Sequence, residues 1–288
     1  MGAAVIAALL AIVPLVSLLP VELGGVADTL LACATLAAAW HGTGQLVARA
    51  AGRRTAPLVA IQWGIAAALA LGGMAIALHA FHLVRPVLLA AGLVAHAIYV
   101  LARRDQLRLA FGPWAVPVAL VAVVALVAIL GSAGAPIRPF DDDGNVLAQL
   151  VRLHATGGLG DAIGYPRMSQ LGGALAIAGL APDPALGLAL DRGLGLALAL
   201  ALAVARIRPR DGAGALWASL TVVVASALAF APGDAAPCWL AVGLAIALVA
   251  TIDDGITSTR DALPAGLVAG ALVALRYELA PFALVALA

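Results

Sequence analysis

Three consecutive aspartates, Asp141, Asp142 and Asp143, are the part of the sequence best suited to acid–base chemistry. A positioned carboxylate can take a proton from a hydroxyl group and so make its oxygen a stronger nucleophile. Helix capping is the structural alternative, because one Asp at the N-cap and another in the first turn satisfy free backbone N–H groups. Capping needs one or two carboxylates and the sequence has three. This surplus favours a catalytic or ligand-binding role for at least one of them.

The composition predicts that membrane helices carry these residues. Of the 288 residues, 64% are hydrophobic and 11% are charged, whereas a soluble domain has roughly a quarter of its residues charged. This excludes soluble enzymes, nucleic-acid-binding proteins and disulfide-stabilised secreted modules. The apolar runs also lack the period-two alternation of a membrane barrel. The predicted fold class is therefore all-α, a polytopic transmembrane helical bundle.

About nine to ten spans are predicted, because a spanning helix needs about 20 mostly apolar residues. The apolar runs cover residues 2–19, 24–40, 57–78, 86–102, 113–131, 185–205, 214–231, 236–252, 262–275 and 279–288. They divide the chain into N-terminal transmembrane helices (1–131), an extracytoplasmic loop (132–184) and further transmembrane helices (185–288). The last run is too short to cross a bilayer. We therefore expect a fragment of a longer protein, or else one long helix interrupted at Arg276.

The placement of arginine predicts the orientation of the chain. Three groups of arginines follow the second, fourth and sixth runs: Arg49, Arg53 and Arg54; Arg103, Arg104 and Arg108; Arg206, Arg208 and Arg210. The positive-inside rule assigns these connections to the cytoplasm. The loop at 132–184 then lies outside, on the same side as His79, His82 and Arg85. We predict a multi-pass protein of the plasma (inner) membrane with its active face outside.

Two short elements are predicted within the outer loop. Val146, Leu147, Leu150 and Val151 recur at helical spacing, which indicates an amphipathic helix along the membrane interface. A second apolar stretch, residues 171–180, is too short to span and is predicted to be interfacial or re-entrant.

The outer loop resembles the first large outer loop of GT-C-type integral-membrane glycosyltransferases. These include the bacterial families related to protein mannosyltransferases and lipid A aminoarabinose transferases. The similarity covers about 50 residues. It rests on Phe140-Asp141-Asp142-Asp143, on Thr156-Gly157-Gly158-Leu159-Gly160-Asp161, and on Arg167 followed by Gly172-Gly173. In many GT-C enzymes the acidic loop follows the first helix, whereas here four helices precede the helix before the loop.

The resemblance implies transfer of a sugar from a polyprenyl-phosphate-linked donor to a hydroxyl of a lipid, glycan or protein at the outer face. Asp141 or Asp142 would be the general base, with Asp143 among the neighbours that position the acceptor or, in some relatives, a divalent metal. The leaving phosphate needs cations. Arginine suits this role because its planar group binds phosphate through two N–H groups. The candidates are Arg138, Arg152, Arg167, Arg85 and Arg276, with His154, His79 and His82 as orienting groups.

Two other functions stay open at this point. A secondary transporter usually has repeated hydropathy halves, and the sequence shows no clear repeat. A non-catalytic membrane assembly protein would use the outer loop as a docking surface. His79 and His82 are not predicted as a metal site, because they lack a third ligand, whereas a divalent metal beside the aspartates stays a possible cofactor. Membrane lipid is an expected partner and nucleic acid is not.

Overall fold

The computed structural model describes residues 23–103, 121–124, 126, 142–159, 172–206 and 239–287. Over these ranges the chain is helical and contains no strand, which confirms the all-α prediction for them. The helices are α1 (Leu23–Ala50), α2 (Pro57–Ala77), α3 (Phe81–Arg103), α4 (Asp142–Thr156), α5 (Gly172–Ala178), α6 (Pro184–Ala189), α7 (Leu196–Arg206), α8 (Trp239–Asp253), α9 (Thr259–Leu275) and α10 (Ala280–Leu287). A π-helical turn over Asp191–Gly195 precedes α7, and a 3₁₀ turn over Tyr277–Leu279 precedes α10.

Helix α1 packs closely against both α2 and α3, and glycines allow the close approach. A Cβ atom on Gly42 would overlap the carbonyl oxygen of Gly92 in α3. A Cβ atom on Gly64 in α2 would overlap the carbonyl oxygen of Trp40. Small residues at such crossings are typical of membrane helices, because packing rather than the hydrophobic effect drives their association.

A pair of imidazoles also joins α1 to α3. The Nδ1 atoms of His41 and His96 lie 2.9 Å apart, so one ring donates a hydrogen bond to the other. Gln45 contacts the opposite nitrogen of His41 at 3.3 Å. His41 is buried, and the pair therefore satisfies polar groups inside the helix contact.

Two helices of the described chain, α2 and α3, are long and apolar enough to cross a bilayer. Helix α2 is central and contacts α1, α5, α8 and α9. Helix α3 is peripheral, and Leu83, Val87 and Val94 on it are 63%, 64% and 59% exposed. Such exposed apolar side chains suit a lipid-facing surface. The number of nine to ten spans stays a prediction, and the runs 2–19 and 214–231 lie outside the described residues.

The predicted run 185–205 is not one continuous α-helix, since α6, the π-helical turn and α7 share it. The glycines Gly193 and Gly195 weaken α-helix at this point. Asp191 begins the π-helical turn and accepts hydrogen bonds from the backbone N–H groups of Trp239 (3.2 Å) and Leu240 (2.8 Å). The break thus allows a carboxylate to cap the start of α8.

Helices α7, α8 and α9 form a second group that packs on α2 through α8 and α9. Inside this contact, the indole N–H of Trp63 donates to the hydroxyl of Thr251 at 3.0 Å. Helix α9 ends at Leu275, and α10 folds back onto α8 and α9. The predicted interruption near Arg276 is therefore present, and α10 is a separate helix.

Charged side chains join the loops at one end of the bundle, called here the Arg53 end. Arg53 donates to the carbonyl oxygens of Asp254 (3.2 Å) and Gly255 (2.8 Å). Arg206 pairs with Asp253 at 2.7 Å. The opposite end, where α2 ends and α3 begins, is called the Arg85 end. It carries the candidate functional site.

Candidate functional site

The turn between α2 and α3 fixes the position of two predicted site histidines. Two hydrogen bonds close α2: one from the N–H of His79 to Ile76 (3.0 Å) and one from the N–H of Ala80 to Ala75 (2.8 Å). His79 has a φ of 52°, at the position where this type of helix end usually has glycine. The turn places His79 and His82 at the Arg85 end.

The end of α4 lies against this turn. The N–H of Phe81 donates to the carbonyl oxygen of Gly157 at 3.0 Å. A Cβ atom on Gly157 would overlap the imidazole of His82, and one on Gly158 would overlap that of His79. The two glycines, which belong to the segment that resembles GT-C loops, therefore allow both rings to lie against the backbone that follows α4.

Helix α4 is amphipathic, as the sequence predicts, but its buried face differs from the predicted one, because Val151 is 53% exposed and Leu147 is only half-buried. Val146, Leu150 and Leu153 are buried, whereas Arg152 is exposed. Within the described chain, helix α4 makes most of its helix contacts with α3, α5 and α6. Its buried face and these contacts therefore hold the histidine-bearing end of α4 against the Arg85 end.

Helix α5, the second predicted element of the outer loop, is buried. Leu175, Ala176 and Ile177 are almost fully covered. It contacts α2 and α9, and a Cβ atom on Gly173 would lie 2.5 Å from the carbonyl oxygen of Ala274. Helix α5 therefore enters the bundle beside α2 and α9, as a re-entrant element does.

His154 joins α4 to the turn after α5. Its Nε2 donates to the carbonyl oxygen of Gly179 at 2.9 Å. Burial is the largest effect on its pKa and lowers it from the ordinary value. The hydrogen bond to Gly179 opposes this effect, the positive charge of Arg85 adds to it, and the negative charge of Asp183 opposes it. His154 is thus held mainly as the neutral ring near a cation.

A cleft between α1 and α3 contains another predicted cation at this end, Arg85. The cleft has a volume of about 300 Å³, at the lower end for small-molecule sites. Apolar side chains form most of its wall, and Asp28 and Arg85 are the charged residues that line it: Asp28, Leu31, Ala32, Thr35, Leu36, Arg85, Leu89, Leu180 and Pro182. Arg85 donates one hydrogen bond to the carbonyl oxygen of Ala181 at 2.8 Å.

Asp28 was not among the predicted site residues. It lies near the start of an apolar run, where a side chain that reaches toward the membrane surface is an adequate explanation. Only the packing of α1 against α3 shows that Asp28 and Arg85 line one cleft. A charged residue within an apolar run is the sequence signal that points to it.

The remaining predicted residues are placed as follows. Arg138, Asp141 and Arg167 lie outside the described residues. The backbone of Asp142 begins α4 and that of Asp143 follows it. Arg276 follows α9 at the Arg85 end and is half-buried.

The two ends of α4 are well separated. At 1.5 Å per residue, the backbone of Asp142 lies about 18 Å along the axis from that of His154, which exceeds the reach of the two side chains. The predicted orienting role of His154 toward an aspartate therefore does not involve direct contact with Asp142, and the orienting roles of His79 and His82 stay predictions.

Within the described residues, no three His, Cys, Asp or Glu side chains come together as a metal site. No protein-family model, no curated protein and no solved structure matches the chain.

Proposed function

We propose that the chain is a polytopic membrane glycosyltransferase that moves a sugar from a polyprenyl-phosphate-linked donor to a hydroxyl of a lipid, glycan or protein. It would lie in the plasma (inner) membrane with about nine to ten spans. The Arg53 end would face the cytoplasm and the Arg85 end the outside. The resemblance of the outer loop supports this proposal, together with the geometry of the cleft.

The observation that carries the proposal is the cleft between α1 and α3. A lipid-linked donor has an apolar chain joined to an anionic phosphate. The apolar walls suit the chain, and Arg85 suits the phosphate. The exposed apolar residues of α3 beside the cleft suit lateral entry from lipid.

The chemistry needs one base and one stabilised leaving group. In the proposed step, a carboxylate of Asp141, Asp142 or Asp143 takes the proton of the acceptor hydroxyl. The acceptor oxygen forms a bond to the anomeric carbon, and the bond from that carbon to the phosphate oxygen breaks. Polyprenyl phosphate leaves with the electron pair, and its charge would be stabilised by one of the candidate arginines, Arg138, Arg152, Arg167, Arg85 or Arg276. A single displacement with one carboxylate as base inverts the anomeric configuration.

The test is a set of single Asn substitutions at Asp141, Asp142 and Asp143 in a deletion strain, with analysis of envelope glycans and lipids. Asp254→Asn, at the Arg53 end, is the matched control. A transferase loses the sugar-modified product at one of the three positions and accumulates lipid-linked donor, while the amount of folded protein stays unchanged. Loss of solute uptake with unchanged glycans would instead show a transporter. Tolerance of all three changes would show a scaffolding role and refute the proposal.

A further inference from the structure

We propose that the pair formed by His41 and His96 is a proton-binding site that controls how closely α1 and α3 are held together. While the pair is neutral the two helices stay in contact, and proton uptake separates them at their crossing. Because both helices line the cleft, their separation widens the cleft as well. This control acts whatever the cleft binds, so it goes beyond the proposed function.

The pair lies inside the close crossing of α1 and α3. A Cβ atom on Gly42 would overlap the carbonyl oxygen of Gly92 and would lie 2.6 Å from the backbone nitrogen of His96. The two backbones therefore touch beside the imidazole rings, whose Nδ1 atoms are 2.9 Å apart. His41 is 5% exposed. The hydrogen bond between the rings is thus part of the helix contact.

This hydrogen bond needs one Nδ1 atom that carries no proton. A neutral imidazole has one N–H donor and one bare nitrogen as acceptor, whereas a protonated imidazole has two donors and no acceptor. Two neutral rings can therefore bond through their Nδ1 atoms. Two protonated rings cannot, because two N–H groups would face each other at 2.9 Å. Full protonation replaces an attraction at the crossing by repulsion between like charges.

No acidic residue balances an added proton on the described helices beside the pair. Helices α2 and α3 contain no Asp or Glu, and the acidic residue of α1, Asp28, is 13 positions from His41, about 20 Å along the helix. On α1 itself, the neutral Gln45 lies 3.3 Å from the second nitrogen of His41, and Arg49 is exposed. The remaining titratable residues of α3 and α9 that lie away from the pair are at helix ends: His82 and Arg85 on α3, and Arg260 and Asp261 on α9.

The nearest groups on α3 oppose a positive charge. The ring of Tyr99 meets that of His41 edge to face, with 4.7 Å between the centroids. The guanidinium of Arg103 lies over the Tyr99 ring, 5.1 Å from its centroid. An added proton therefore places a further positive charge near Arg103, in a contact where an unpaired charge is costly. Separation of the helices lets water reach the charged rings.

The pair and the cleft share the same two helices. Leu36 on α1 and Leu89 on α3 line the cleft and lie five and seven positions from His41 and His96, about 8 and 10 Å along the helix axes. Packed helices move as units between discrete arrangements, by about 1–2 Å at an interface. Opening at the pair is therefore carried to the cleft.

Spin labels on the two helices measure their separation as a function of pH. Cys33 and Cys238 are replaced by alanine, and labels are attached through Leu46→Cys on α1 and Leu101→Cys on α3, both at exposed positions. Double electron–electron resonance in nanodiscs should show a longer-distance population that is about tenfold larger at pH 5 than at pH 8. Identical distance distributions at the two pH values would overturn the proposal.

His96→Asn tests whether the pair is the group that titrates. The Asn amide oxygen lies near the position of Nδ1, so it can accept a hydrogen bond from His41 but cannot take up a proton. The acid-induced population should be lost in this variant. It should be kept in the control His154→Gln, which removes a titrating histidine of α4. An increase in His96→Asn equal to that of wild type, or its loss in His154→Gln, would assign the opening to another group and overturn the proposal.

Nitrogen-15 NMR of histidine-labelled wild type gives a readout that needs no substitution in the pair. At pH 8 the two rings, identified by the coupling across their hydrogen bond, should show one protonated and one bare Nδ1. At pH 5 both Nδ1 atoms should be protonated and the coupling lost. A bare Nδ1 in the pair at pH 5 would contradict the proposal. None of these measurements uses a sugar donor, so their failure leaves the proposed function standing.

Discussion

Arg85 is the residue on which the account of the site depends most. Its guanidinium lines an apolar cleft and has one hydrogen bond, to Ala181, within the described chain. Its other N–H groups are suited to a phosphate, because the planar group forms two parallel hydrogen bonds with such an anion.

Two substitutions of Arg85 should distinguish the contribution of its charge to donor affinity from that of its planar pair of N–H donors. Arg85→Lys keeps the charge but loses the planar pair of donors, so we expect donor affinity to fall about tenfold. Arg85→Gln removes the charge, and affinity should fall about a hundredfold. The Michaelis constant for the lipid-linked donor measures both effects. Equal activity of the Gln variant and the wild type would exclude Arg85 from the phosphate site.

His154 should make stability depend on pH. Burial lowers its pKa in the folded protein, so the unfolded chain binds a proton more readily at mildly acidic pH. The contribution of His154 to stability is therefore fully present above its unfolded pKa of about 6.5 and is lost as the pH falls through the lower folded value. Thermal unfolding in detergent should show a lower midpoint at pH 5.5 than at pH 7.5.

His154→Gln is the matched variant for this prediction, because its amide can still donate to Gly179 but cannot titrate. The decrease in melting temperature between pH 7.5 and pH 5.5 should be smaller in the variant. A decrease of the same size as in wild type would assign the acid sensitivity to another group.

Some candidate site residues could be chosen from their residue types alone, but which of them lie together depends on how the helices pack. The histidines at 79, 82 and 154 and Arg85 could be chosen because they titrate or carry charge on one predicted side. The position of Asp28 and Arg85 in one cleft could not be predicted, because 57 positions separate them in the sequence and only the crossing of α1 and α3 brings them together. The glycine pair at 157–158 was noted for its resemblance alone, whereas its contact with two imidazoles required the fold.

At the scale of elements, glycine contacts hold α3 to the bundle. A Cβ atom on Gly92 would overlap the carbonyl oxygen of Ala39 in α1, and this backbone atom cannot move aside without shifting the helix. We expect Gly92→Ala to destabilise the protein by about 1–3 kcal/mol. Thermal unfolding measures the change.

Gly73→Ala is the control for this prediction. Gly73 lies inside α2 with no atom within 4 Å of an added Cβ. Alanine should stabilise the helix there by about 0.5–1 kcal/mol, because glycine loses more backbone entropy on folding. If both variants were equally stable, close contact between α1 and α3 would not be what holds α3 in place.

Asp191 should be important for the start of α8. Asp191→Ala leaves the N–H groups of Trp239 and Leu240 without this acceptor, and the expected loss is about 1–2 kcal/mol of unfolding free energy. Asp191→Asn keeps an acceptor oxygen and should lose less. The two variants are compared by thermal unfolding, and an equal loss would show that the negative charge, rather than the hydrogen bonds, matters.

The long apolar runs predicted their helices well. Run 57–78 corresponds to Pro57–Ala77, whereas α3 begins at Phe81, before the run 86–102, so that Pro86 lies inside it, and α1 continues past the run 24–40 to Ala50. Hydropathy did not predict the π-helical turn inside 185–205. This break depends on a contact between Asp191 and α8, some 48 residues later in the chain.

At the scale of the molecule, the charged side chains discussed above lie at two opposite ends of the described helices. Arg53, Arg206 and their partners join loops at the Arg53 end, whereas Arg85 and the histidines lie at the other. The alternation of arginine along the chain predicts the first end to be cytoplasmic.

Labelling of single cysteines in inverted and right-side-out vesicles tests this orientation. With Cys33 and Cys238 replaced by alanine, Arg54→Cys should react with an impermeant reagent only from the cytoplasmic side. Arg152→Cys, on the exposed face of α4, should react only from outside. Reaction of both from one side would contradict the proposed topology.

The most direct measurement of the central claim is the release of polyprenyl phosphate from radiolabelled polyprenyl phosphosugar in membranes that contain the protein. The account predicts that wild type converts the donor and transfers the label to a hydroxyl-bearing acceptor. It also predicts that Asn at one of positions 141–143 abolishes conversion while the donor still binds. Conversion at the wild-type rate by all three Asn variants would contradict the account.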